Sequence, residues 1–319
     1  VPVADGKISE FYRISAVKET VDYLINRGAI ITLLSHITAV ESFEPLLDQT
    51  KTILGTENFS LYENVRKYKG EEDNNEEFAR ELAKSFDIYI NDAFSVSHRK
   101  HASVVAITRF LPSYAGLLLV KEIENLTKAI EMPKKEKTLI LGGAKVNTKF
   151  PVIRNFLGKA ENILIGGAVA NVFLKAEGID IEKSLTDDNF LNDAKNLLKE
   201  KNLVIPSDYI ISGDMILDIG EKTADKFVEI IGKSKIVIWN GPLGKAEISQ
   251  FSLGSERIAK AIISSGAFSV VGGGDTIAFL EKINLIDKFG YISTGGGAML
   301  EFLAGNKLPG LEVLRYYDV

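Results

Sequence analysis

The feature that most constrains the fold is a pattern that recurs along the whole chain, in which a short apolar run is followed by an amphipathic stretch. The apolar runs are rich in β-branched residues and lack the polar alternation of a sheet with one solvated face. Strands of this kind are covered on both faces, as in parallel sheets flanked by helices. The pattern therefore predicts an α/β fold with a mostly parallel sheet. The predicted strands are 29–34, 88–90, 138–141, 162–165, 203–205, 236–239, 268–271 and 291–293.

The predicted helices and the length of the chain indicate two domains. Apolar residues at helical spacing predict helices over 78–84, 120–130 and 255–262. A charged segment broken by proline, 131–137, follows the second of these helices, and such segments commonly separate domains. The chain has 319 residues, whereas a single core seldom grows beyond ~250–300 residues. We therefore predict an N-terminal domain over 1–125 and a C-terminal domain over 126–319.

Composition excludes several classes of protein. Hydrophobic residues make up 45% and charged residues 25% of the chain, a balance typical of globular rather than disordered sequences. The lack of cysteine excludes disulfides, thiolate metal sites and a cysteine nucleophile, and it favours a reducing, cytoplasmic location. A net charge of −5 argues against general nucleic-acid binding. No apolar run approaches the ~20 residues that span a bilayer, and the sequence opens without a basic and apolar signal segment.

Glycines follow five of the predicted strands in the second half of the chain. In a parallel sheet such turns lie at the carboxyl ends of the strands, the edge at which ligands bind. Glycine lets backbone N–H groups approach a phosphate closely, and the helix behind it adds unpaired donors and a positive dipole end. One tight turn uses glycine for steric reasons alone, but five on one edge predict a shared anion site. The glycine turns are 142–143, 166–167, 241–244, 272–274 and 295–297.

Two pairs of polar residues in these turns carry alternative interpretations. Lys145 and Lys149 are four apart and would share one helix face, either as a solvated surface pair or on both sides of an anion. Asp275 and Thr276 follow three glycines, either as an N-terminal helix cap or as contacts to a metal ion and a phosphate. The chain lacks both the G-x-x-x-x-G-K-[ST] and the G-x-G-x-x-G patterns, so the common P-loop and dinucleotide fingerprints are excluded.

Basic residues in the first half are candidates for a second anion site. Arginines and histidines placed after strands suit the capture of a carboxylate or phosphate, for which the arginine fork offers two parallel hydrogen bonds. Residues 1–120 are not basic overall, so any such site must be local. The candidates are Arg13, His36, Arg66 and Arg99.

Two other features of the first half have simpler interpretations. His98 and His101 could be zinc ligands, but no third ligand stands at a convincing spacing. The acidic run 71–77 is expected to be a solvated loop and the start of a helix.

The sequence resembles the phosphoglycerate kinase family along nearly its whole length. Nine motifs occur in the family's order, and their number and order make the resemblance specific. In the first half they are Asp5-Gly6-Lys7-Ile8 with Arg13-Ile14, Leu34-Ser35-His36, Glu63-Asn64-Val65-Arg66, and Asn91-Asp92-Ala93-Phe94 with His98-Arg99-Lys100-His101-Ala102-Ser103. In the second half they are Gly142-Gly143-Ala144-Lys145-Val146, Trp239-Asn240-Gly241-Pro242, Gly272-Gly273-Gly274-Asp275-Thr276, Ser293-Thr294-Gly295-Gly296-Gly297-Ala298 and Leu308-Pro309-Gly310.

The resemblance implies two doubly wound parallel-sheet domains of Rossmann-like type, facing each other across a cleft, with the last helix returning to the N-terminal domain. The N-terminal domain would bind 3-phosphoglycerate through Arg13, His36, Arg66 and Arg99. The C-terminal domain would bind MgADP or MgATP, with the metal on Asp275 and the ribose on Glu247. The implied nucleotide contacts are Gly143, Ala144, Lys145, Lys149, Gly167, Leu217, Asn240, Pro242, Glu247, Gly273, Gly274, Asp275 and Thr276.

The implied reaction is the reversible transfer of the acyl phosphate of 1,3-bisphosphoglycerate to ADP, which gives 3-phosphoglycerate and ATP in glycolysis. No protein nucleophile is needed, because the carboxylate of 3-phosphoglycerate attacks in the ATP-consuming direction. The protein positions the substrates, neutralises charge and closes by a hinge motion. By resemblance, Arg13 and Lys145 would contact the transferring phosphoryl group, while Lys149 and the amides around Gly273 and Gly296 would share its charge. A monomer with Mg²⁺ bound beside the nucleotide is expected.

The sequence departs from the family pattern at several positions. The family has a strand with an Arg-Val-Asp-Phe-Asn motif before the position of Val1, so we expect one strand and two polar substrate contacts to lie outside the sequence given. Ala39 stands where a substrate-binding arginine is usual, and residues 40–60 are shorter than usual. Thr148 replaces an aspartate, and Ile216 replaces a glycine that faces the adenine. The loss of one anion-binding arginine would weaken binding by ~1.5–3 kcal/mol.

These departures leave two alternatives to an active kinase. One is a catalytically impaired or truncated nucleotide-binding homologue, because the nucleotide motifs are better preserved than the triose motifs. The other is a Rossmann-type oxidoreductase that binds NAD, against which the missing dinucleotide fingerprint argues.

Overall fold

The computed structural model describes residues 3–4, 7–8, 11–37 and 42–318. The chain forms two compact units. Unit 1 comprises residues 1–123 and 307–319, and unit 2 comprises residues 124–306. Among the described residues, no helix combines the length and the apolar character that crossing a membrane requires.

The strands of unit 1 are short and are paired two by two. In the described part of the unit, β3 pairs with β4 and β5 pairs with β6, both in parallel, while β1 and β2 are antiparallel. The described strands therefore form separate pairs rather than one sheet. The sequence pattern does not predict β4 or β6, because a three-residue strand is too short to show a hydrophobic periodicity. The strands are β1 (Val3–Ala4), β2 (Lys7–Ile8), β3 (Ile31–Leu33), β4 (Phe59–Leu61), β5 (Tyr89–Asn91) and β6 (Ser113–Ala115).

Helices and strands of unit 1 share small apolar cores, in one of which Val21 and Leu54 pack with Ile31 and Phe59. In α5 the side chain of Asn75 accepts a hydrogen bond from the N–H of Phe78 at 2.9 Å, which satisfies one unpaired donor of the first turn. The buried residues of α5 are Ala79, Leu82 and Ala83, which recur at helical spacing. The helices are α1 (Tyr12–Ser15), α2 (Lys18–Ile25), α3 (Leu47–Leu54), α4 (Lys69–Glu72), α5 (Glu76–Ala83) and α6 (Leu117–Glu131), the last of which continues into unit 2.

A six-stranded parallel sheet forms the centre of unit 2, with strand order β14-β13-β12-β7-β8-β9. All five residues of β7 and of β12 are buried, as expected for strands covered on both faces. All of the strands predicted for this half are present. The strands are β7 (Lys137–Leu141), β8 (Asn162–Ile165), β9 (Leu203–Val204), β10 (Tyr209–Ser212), β11 (Met215–Ile219), β12 (Ile236–Asn240), β13 (Phe268–Gly272) and β14 (Tyr291–Ser293).

Strands β10 and β11 form an antiparallel hairpin outside the main sheet, which the sequence analysis did not predict. Its turn consists of Gly213 and Asp214, whose φ angles are 57° and 60°. Two successive residues with positive φ match the right-handed twist of a hairpin. The adjacent Gly213 and Asp214 are the sequence feature from which this turn could have been predicted.

The helices of unit 2 alternate with the strands of its sheet. Phe150 of α7 is fully buried and stacks on Phe173 of α8, with ring centroids 5.3 Å apart, so the two helices share one apolar layer. The helices are α7 (Val146–Phe156), α8 (Gly167–Ala176), α9 (Leu191–Leu197), α10 (Glu221–Gly232), α11 (Leu253–Ser265), α12 (Gly274–Lys282) and α13 (Gly297–Leu303).

The C-terminal segment belongs to unit 1 and contains α14 (Pro309–Glu312). The N–H of Gly310 donates a hydrogen bond to the carbonyl of Ser97 at 2.8 Å. A Cβ atom on Gly310 would lie 2.9 Å from the Cα of Ser97, so this close backbone contact requires glycine.

Candidate active site

The glycine turns of unit 2 pack against one another at the carboxyl edge of the sheet. The N–H of Gly142 donates to the carbonyl of Asn240 at 3.0 Å, and that of Gly143 donates to the carbonyl of Pro242 at 2.7 Å. A Cβ atom on Gly142 would lie 2.1 Å from the Pro242 carbonyl oxygen. Gly142 is therefore glycine for a steric reason, because the turns after β7 and β12 are in backbone contact.

Gly273 and Gly274, after β13, have a different environment. Gly273 has a φ of 100°, a conformation that residues with a side chain rarely adopt, and it immediately precedes α12. A Cβ atom on Gly274 would meet nothing within 4 Å. The backbone at this helix start is therefore open, as N–H groups must be to receive a phosphate. Gly296 stands in the corresponding place before α13, with a φ of 51°.

Lys149 is the most unusual side chain of unit 2. It is 4% exposed, and its Nζ donates to the backbone carbonyl of Asn240 at 3.2 Å and to the Oδ1 of the same residue. Burial lowers the pKa of Lys149 to about 7, with the charge of Asp275 acting in the opposite direction and that of Lys145 adding to the decrease. In the part of the chain that the structure describes, no carboxylate forms an ion pair with it. The interpretation of Lys145 and Lys149 as a solvated pair is therefore wrong for Lys149.

Lys145 and Asp275 are exposed neighbours of this buried ammonium group. Lys145 is the N-cap residue of α7, and Asp275 lies in the first turn of α12. The helix-cap interpretation of Asp275 is wrong, because the N-cap residue is Gly273 and the helix has no side-chain cap hydrogen bond. Mg²⁺ is usually held by one or two carboxylates together with substrate phosphates. An exposed carboxylate close enough to Lys149 to affect its pKa fits that role.

Thr276 is fully buried, and its Oγ1 accepts a hydrogen bond from the N–H of Gly241 at 2.9 Å. It therefore joins the turn after β13 to the turn after β12. Glu247 is exposed, and its backbone carbonyl accepts a hydrogen bond from Lys282 Nζ at 3.1 Å. The carbonyl of Leu217, in β11, accepts from the N–H of Lys245 at 2.8 Å.

The remaining predicted nucleotide residues lie in the same turns. Gly167 begins α8, and its N–H donates to the carbonyl of Leu243 at 2.8 Å. Ala144 is exposed beside Gly143, whereas Pro242 is buried. The structure thus brings together residues that follow β7, β8, β12 and β13, as the glycine pattern predicted.

Asp218 is a residue of this region that the sequence analysis missed. It is 3% exposed and accepts hydrogen bonds from the N–H groups of Ile219 and Gly254, both at 2.9 Å. A Cβ atom on Gly244 would lie 2.4 Å from Asp218 Oδ1. Asp218 therefore fixes the loop that carries Glu247. A single carboxylate in the apolar run of β11 was the signal that could have found it.

The Asp218→Asn variant is expected to lose one component of the pH dependence of folding. Burial raises the pKa of Asp218 from its ordinary value of 3.8 to about 6, so the folded chain binds this proton more tightly than the unfolded chain. Its contribution to stability is therefore fully present below pH 3.8 and is lost as the pH rises through about 6. Urea unfolding midpoints of the parent and the variant, measured from pH about 4 to about 7, test this loss. The advantage of the parent over the variant should shrink with rising pH, and parallel midpoints would contradict the assignment.

In unit 1 the structure brings His36, Arg66, Arg99 and His101 close together. Burial lowers the pKa of His36 to about 4, and the charges of Arg66, Arg99 and His101 add to the decrease. The pKa of His101 is lowered by burial and then by Arg66 and Arg99. Both imidazoles are therefore neutral at neutral pH while two guanidinium groups stand beside them. This cluster, His36, Arg66, Arg99 and His101, is referred to below as the basic cluster.

Arg66 is incompletely paired. Its Nη1 forms an ion pair with Glu72, but its buried Nε and Nη2 have no hydrogen-bond partner among the described residues. Buried N–H groups are almost always hydrogen-bonded in folded proteins, and two parallel donors match a carboxylate or phosphate. The Nε and Nη2 groups of Arg66 are thus available to bind an anion.

Arg13 and the two histidines at 98 and 101 are the remaining candidate residues of unit 1. Arg13 is half-buried in α1, and its place in the anion site stays a prediction. Within the described residues, no group of three or more His, Cys, Asp and Glu side chains could hold a metal ion. The zinc interpretation of His98 and His101 therefore has no third ligand there.

The acidic run 71–77 is only partly solvated, which corrects the prediction. Glu71 is 2% exposed, whereas Glu72, Glu76 and Glu77 are exposed. Glu71 accepts hydrogen bonds from Ser103, and these donors compensate for its burial. The sequence does not indicate that Glu71 is buried, because its neighbours in the run are also charged or polar.

Comparison with known proteins agrees with this arrangement. The family model of phosphoglycerate kinase matches residues 43–306. A phosphoglycerate kinase of Francisella philomiragia subsp. philomiragia is 36% identical over 99% of this chain and 93% of its own length. The chain belongs to the phosphoglycerate kinase family. It is accordingly a kinase, a phosphotransferase that acts in glycolysis, and the oxidoreductase alternative is wrong.

Two solved structures give the same result for the fold. Phosphoglycerate kinase from Coxiella burnetii superposes with a TM-score of 0.85 at 34% identity, covering 99% of this chain and 94% of that one. Phosphoglycerate kinase from Pyrococcus horikoshii OT3 superposes with a TM-score of 0.88 at 32% identity, covering 100% and 95%. The predicted Rossmann-like two-domain fold is therefore confirmed.

The structure places two of the departures from the family pattern. Thr148 Oγ1 donates to the carbonyl of Lys145 at 2.9 Å, within the first turn of α7. Ile216 is half-buried in β11, and its N–H donates to Ser184 Oγ at 2.8 Å. Ala39 lies outside the described residues. The comparisons favour the family's activity over the impaired alternative.

Proposed function

We propose that the chain transfers the acyl phosphate of 1,3-bisphosphoglycerate reversibly to ADP, with the nucleotide on unit 2 and the triose substrate on unit 1. The observation that carries this assignment is Lys149. Among the described residues, this 4% exposed ammonium group donates hydrogen bonds to the oxygens of Asn240 and forms no ion pair, so its charge is poorly compensated. A phosphate chain beside the open backbone of Gly273 and Gly274 would supply the missing negative charge.

On unit 2, the proposal assigns the phosphates of the nucleotide to Lys145, Lys149 and the backbone around Gly273 and Gly274. The residues assigned to the rest of the nucleotide pocket are Gly143, Ala144, Gly167, Leu217, Asn240, Pro242, Glu247 and Thr276. Glu247 is assigned to the ribose by its resemblance to the family, and it is exposed on a loop that Asp218 and Lys282 hold in place.

The metal is proposed to be Mg²⁺, held by Asp275 together with the phosphates. When bound, it would neutralise phosphate charge and orient the phosphates. The residues of the chain do the rest: Lys145 and Lys149 attract the phosphates, and the amides around Gly273 and Gly296 donate to their oxygens.

On unit 1, the proposal assigns 3-phosphoglycerate to Arg13, His36, Arg66 and Arg99. The unpartnered Nε and Nη2 of Arg66 support this assignment, since they offer two donors to one anionic group. A neutral His36 can donate one N–H, and the charge of a bound anion would raise its pKa. No side chain needs to act as a nucleophile, because the substrate carboxylate attacks the γ-phosphorus of ATP. Arg13 and Lys145 are assigned to the transferring phosphoryl group, whose charge they offset.

A monomeric, cytoplasmic protein completes the proposal, on the basis of the glycolytic role of the family. Analytical ultracentrifugation tests the first part, and a sedimentation coefficient of a dimer would contradict it.

The Arg66→Lys variant should bind 3-phosphoglycerate more weakly than the parent does, with an unchanged affinity for MgADP. Lysine keeps the charge but lacks the two parallel donors, and losing one charge-assisted hydrogen bond should weaken binding by about tenfold to a hundredfold. Titration calorimetry with 3-phosphoglycerate and with MgADP measures both affinities. Arg109→Lys is the matched control, because Arg109 is an exposed arginine of unit 1 that pairs with Glu76. Equal affinities of the Arg66 variant and the parent for 3-phosphoglycerate would contradict the assignment.

A further inference from the structure

Glu71 is a buried carboxylate that lies outside the residues assigned to either substrate. It is 2% exposed. Fully buried glutamates are rare unless their charge is paired or hydrogen-bonded. A carboxylate at this position therefore requires hydrogen-bond donors around it.

Both carboxylate oxygens of Glu71 contact Ser103. The backbone N–H of Ser103 donates to Oε2 at 2.9 Å, and the hydroxyl group donates to Oε1 at 2.6 Å. The backbone carbonyl of Glu71 also accepts a hydrogen bond from the N–H of Ala102 at 2.8 Å. These hydrogen bonds join α4 to the residues that directly follow the segment 98–101, which carries Arg99 and two histidines.

The other end of the segment 98–101 is also fixed. The carbonyl of Ser97 accepts the hydrogen bond from Gly310, and the hydroxyl group of Ser97 donates to the carbonyl of Ala93 at 3.2 Å. The segment is therefore held before its first residue by Ser97 and after its last residue by Glu71.

Glu71 also lies beside the basic cluster. The Nδ1 of His101 is 3.8 Å from Glu71 Oε1, too long for a hydrogen bond. Burial raises the pKa of Glu71, while the Ser103 donors and the charge of Arg66 lower it. Glu72, the next residue, is the ion-pair partner of Arg66. One turn of α4 thus contacts both the segment that carries Arg99 and the side chain of Arg66.

We propose that Glu71 is a positioning residue for the triose substrate: its hydrogen bonds to Ser103 hold the segment 98–101 so that Arg99 and His101 stay beside His36 and Arg66. This inference rests on the proposed function, since it takes the basic cluster as the site of 3-phosphoglycerate. Without the carboxylate, the end of the segment after His101 would lose both hydrogen bonds to Ser103 and keep the backbone hydrogen bond from Ala102 to Glu71. Arg99 would then have to be ordered by the substrate itself, and the loss would fall on substrate affinity.

The first test is Glu71→Gln, which keeps the shape of the side chain but removes its charge. The amide can keep both contacts only with its oxygen accepting from the Ser103 N–H and its NH₂ group donating to the Ser103 hydroxyl group, so two charge-assisted hydrogen bonds become weaker neutral ones. We expect the KM for 3-phosphoglycerate to rise about tenfold, with kcat reduced less and the KM for MgATP unchanged. Glu77→Gln is the matched control, an exposed glutamate of the same acidic run, and should match the parent.

The second test is Ser103→Ala, which removes one donor and leaves the backbone hydrogen bond. We expect a smaller rise in the KM for 3-phosphoglycerate. The double variant should lose no more than Glu71→Gln alone, because the two side chains act through the same contact. If Glu71→Gln does not fold, the KM of Ser103→Ala decides.

Separate outcomes distinguish this proposal from the proposed function. A lower Tm with unchanged KM for 3-phosphoglycerate in Glu71→Gln would make Glu71 only structural and overturn the proposal. An unchanged KM in Ser103→Ala would do the same if Glu71→Gln does not fold. Failure of the parent chain to bind 3-phosphoglycerate in calorimetry would instead overturn the proposed function of unit 1.

Discussion

Replacement of Lys149 by methionine should inactivate the enzyme and stabilise the fold at the same time. We expect kcat to fall by at least about 100-fold, the usual effect of removing one preorganised donor from a transition state. Methionine has a similar length and is apolar, so it fits a position that is 4% exposed. The same substitution should raise the free energy of unfolding at pH about 7 by on the order of 1–2 kcal/mol.

The sign of the stability change follows from the pKa of Lys149. Burial lowers it from 10.5 to about 7, so between these values the unfolded chain binds more protons than the folded chain. The contribution of Lys149 to stability is therefore most unfavourable below pH about 7 and improves as the pH rises towards 10.5. Loss of the Nζ donor to Asn240 offsets part of the gain.

Thermal unfolding and the steady-state rate test this prediction together. A gain of about 1–2 kcal/mol should raise Tm by about 2–8 °C in domains of this size. Lys145→Met is the matched control, because Lys145 is exposed and its loss should lower activity without raising Tm. A Lys149→Met variant that is less stable than the parent, or one that keeps full activity, would contradict the account.

The second large effect is expected from Gly241→Ala, which should destabilise unit 2. Gly241 has a φ of 92°, and a Cβ atom there would lie 2.2 Å from the backbone oxygen of Gly142. The backbone strain costs about 1–3 kcal/mol, and displacing the turn after β7 adds a similar amount. We expect Tm to fall by about 10 °C, as measured by calorimetry of the ligand-free chain.

Two other glycines serve as controls for Gly241. A Cβ atom on Gly232, the last residue of α10, would meet nothing within 4 Å, so Gly232→Ala should leave both Tm and activity unchanged. Gly274 is equally open, but it is assigned to the phosphates. Gly274→Ala should therefore keep Tm and weaken MgADP binding. A Gly241→Ala variant with the Tm of the parent would refute the steric interpretation.

The sequence predicted those parts of the fold that have a strong pattern. β7 and β12 are five-residue strands in which every residue is buried and most are apolar, and their location follows from the requirement that both faces of a parallel sheet be covered. β4 and β6 could not be predicted, because three residues are too few to show a periodicity. The hairpin of β10 and β11 depends on a turn with two positive φ angles, which the Gly213-Asp214 pair indicates only in retrospect.

For the candidate site, the sequence identifies the charged groups but does not predict which of them are buried. Lys145 and Lys149 have the same side chain, yet one is exposed and the other buried, because α7 turns Lys149 beneath the turn after β12. Glu71 is likewise buried, whereas the adjacent Glu72 is exposed. Burial depends on contacts between distant segments, such as that of Glu71 with Ser103, which a local sequence pattern does not show.

The central claim is that this chain transfers a phosphoryl group between ATP and 3-phosphoglycerate, and one measurement tests it most directly. The purified chain is supplied with MgATP and 3-phosphoglycerate, and NADH consumption is followed through added glyceraldehyde-3-phosphate dehydrogenase. Lys145→Ala, purified in the same way, controls for enzyme from the expression host. We predict NADH consumption that requires both substrates and falls sharply in the variant. No consumption by a folded parent that still binds MgADP would contradict the claim.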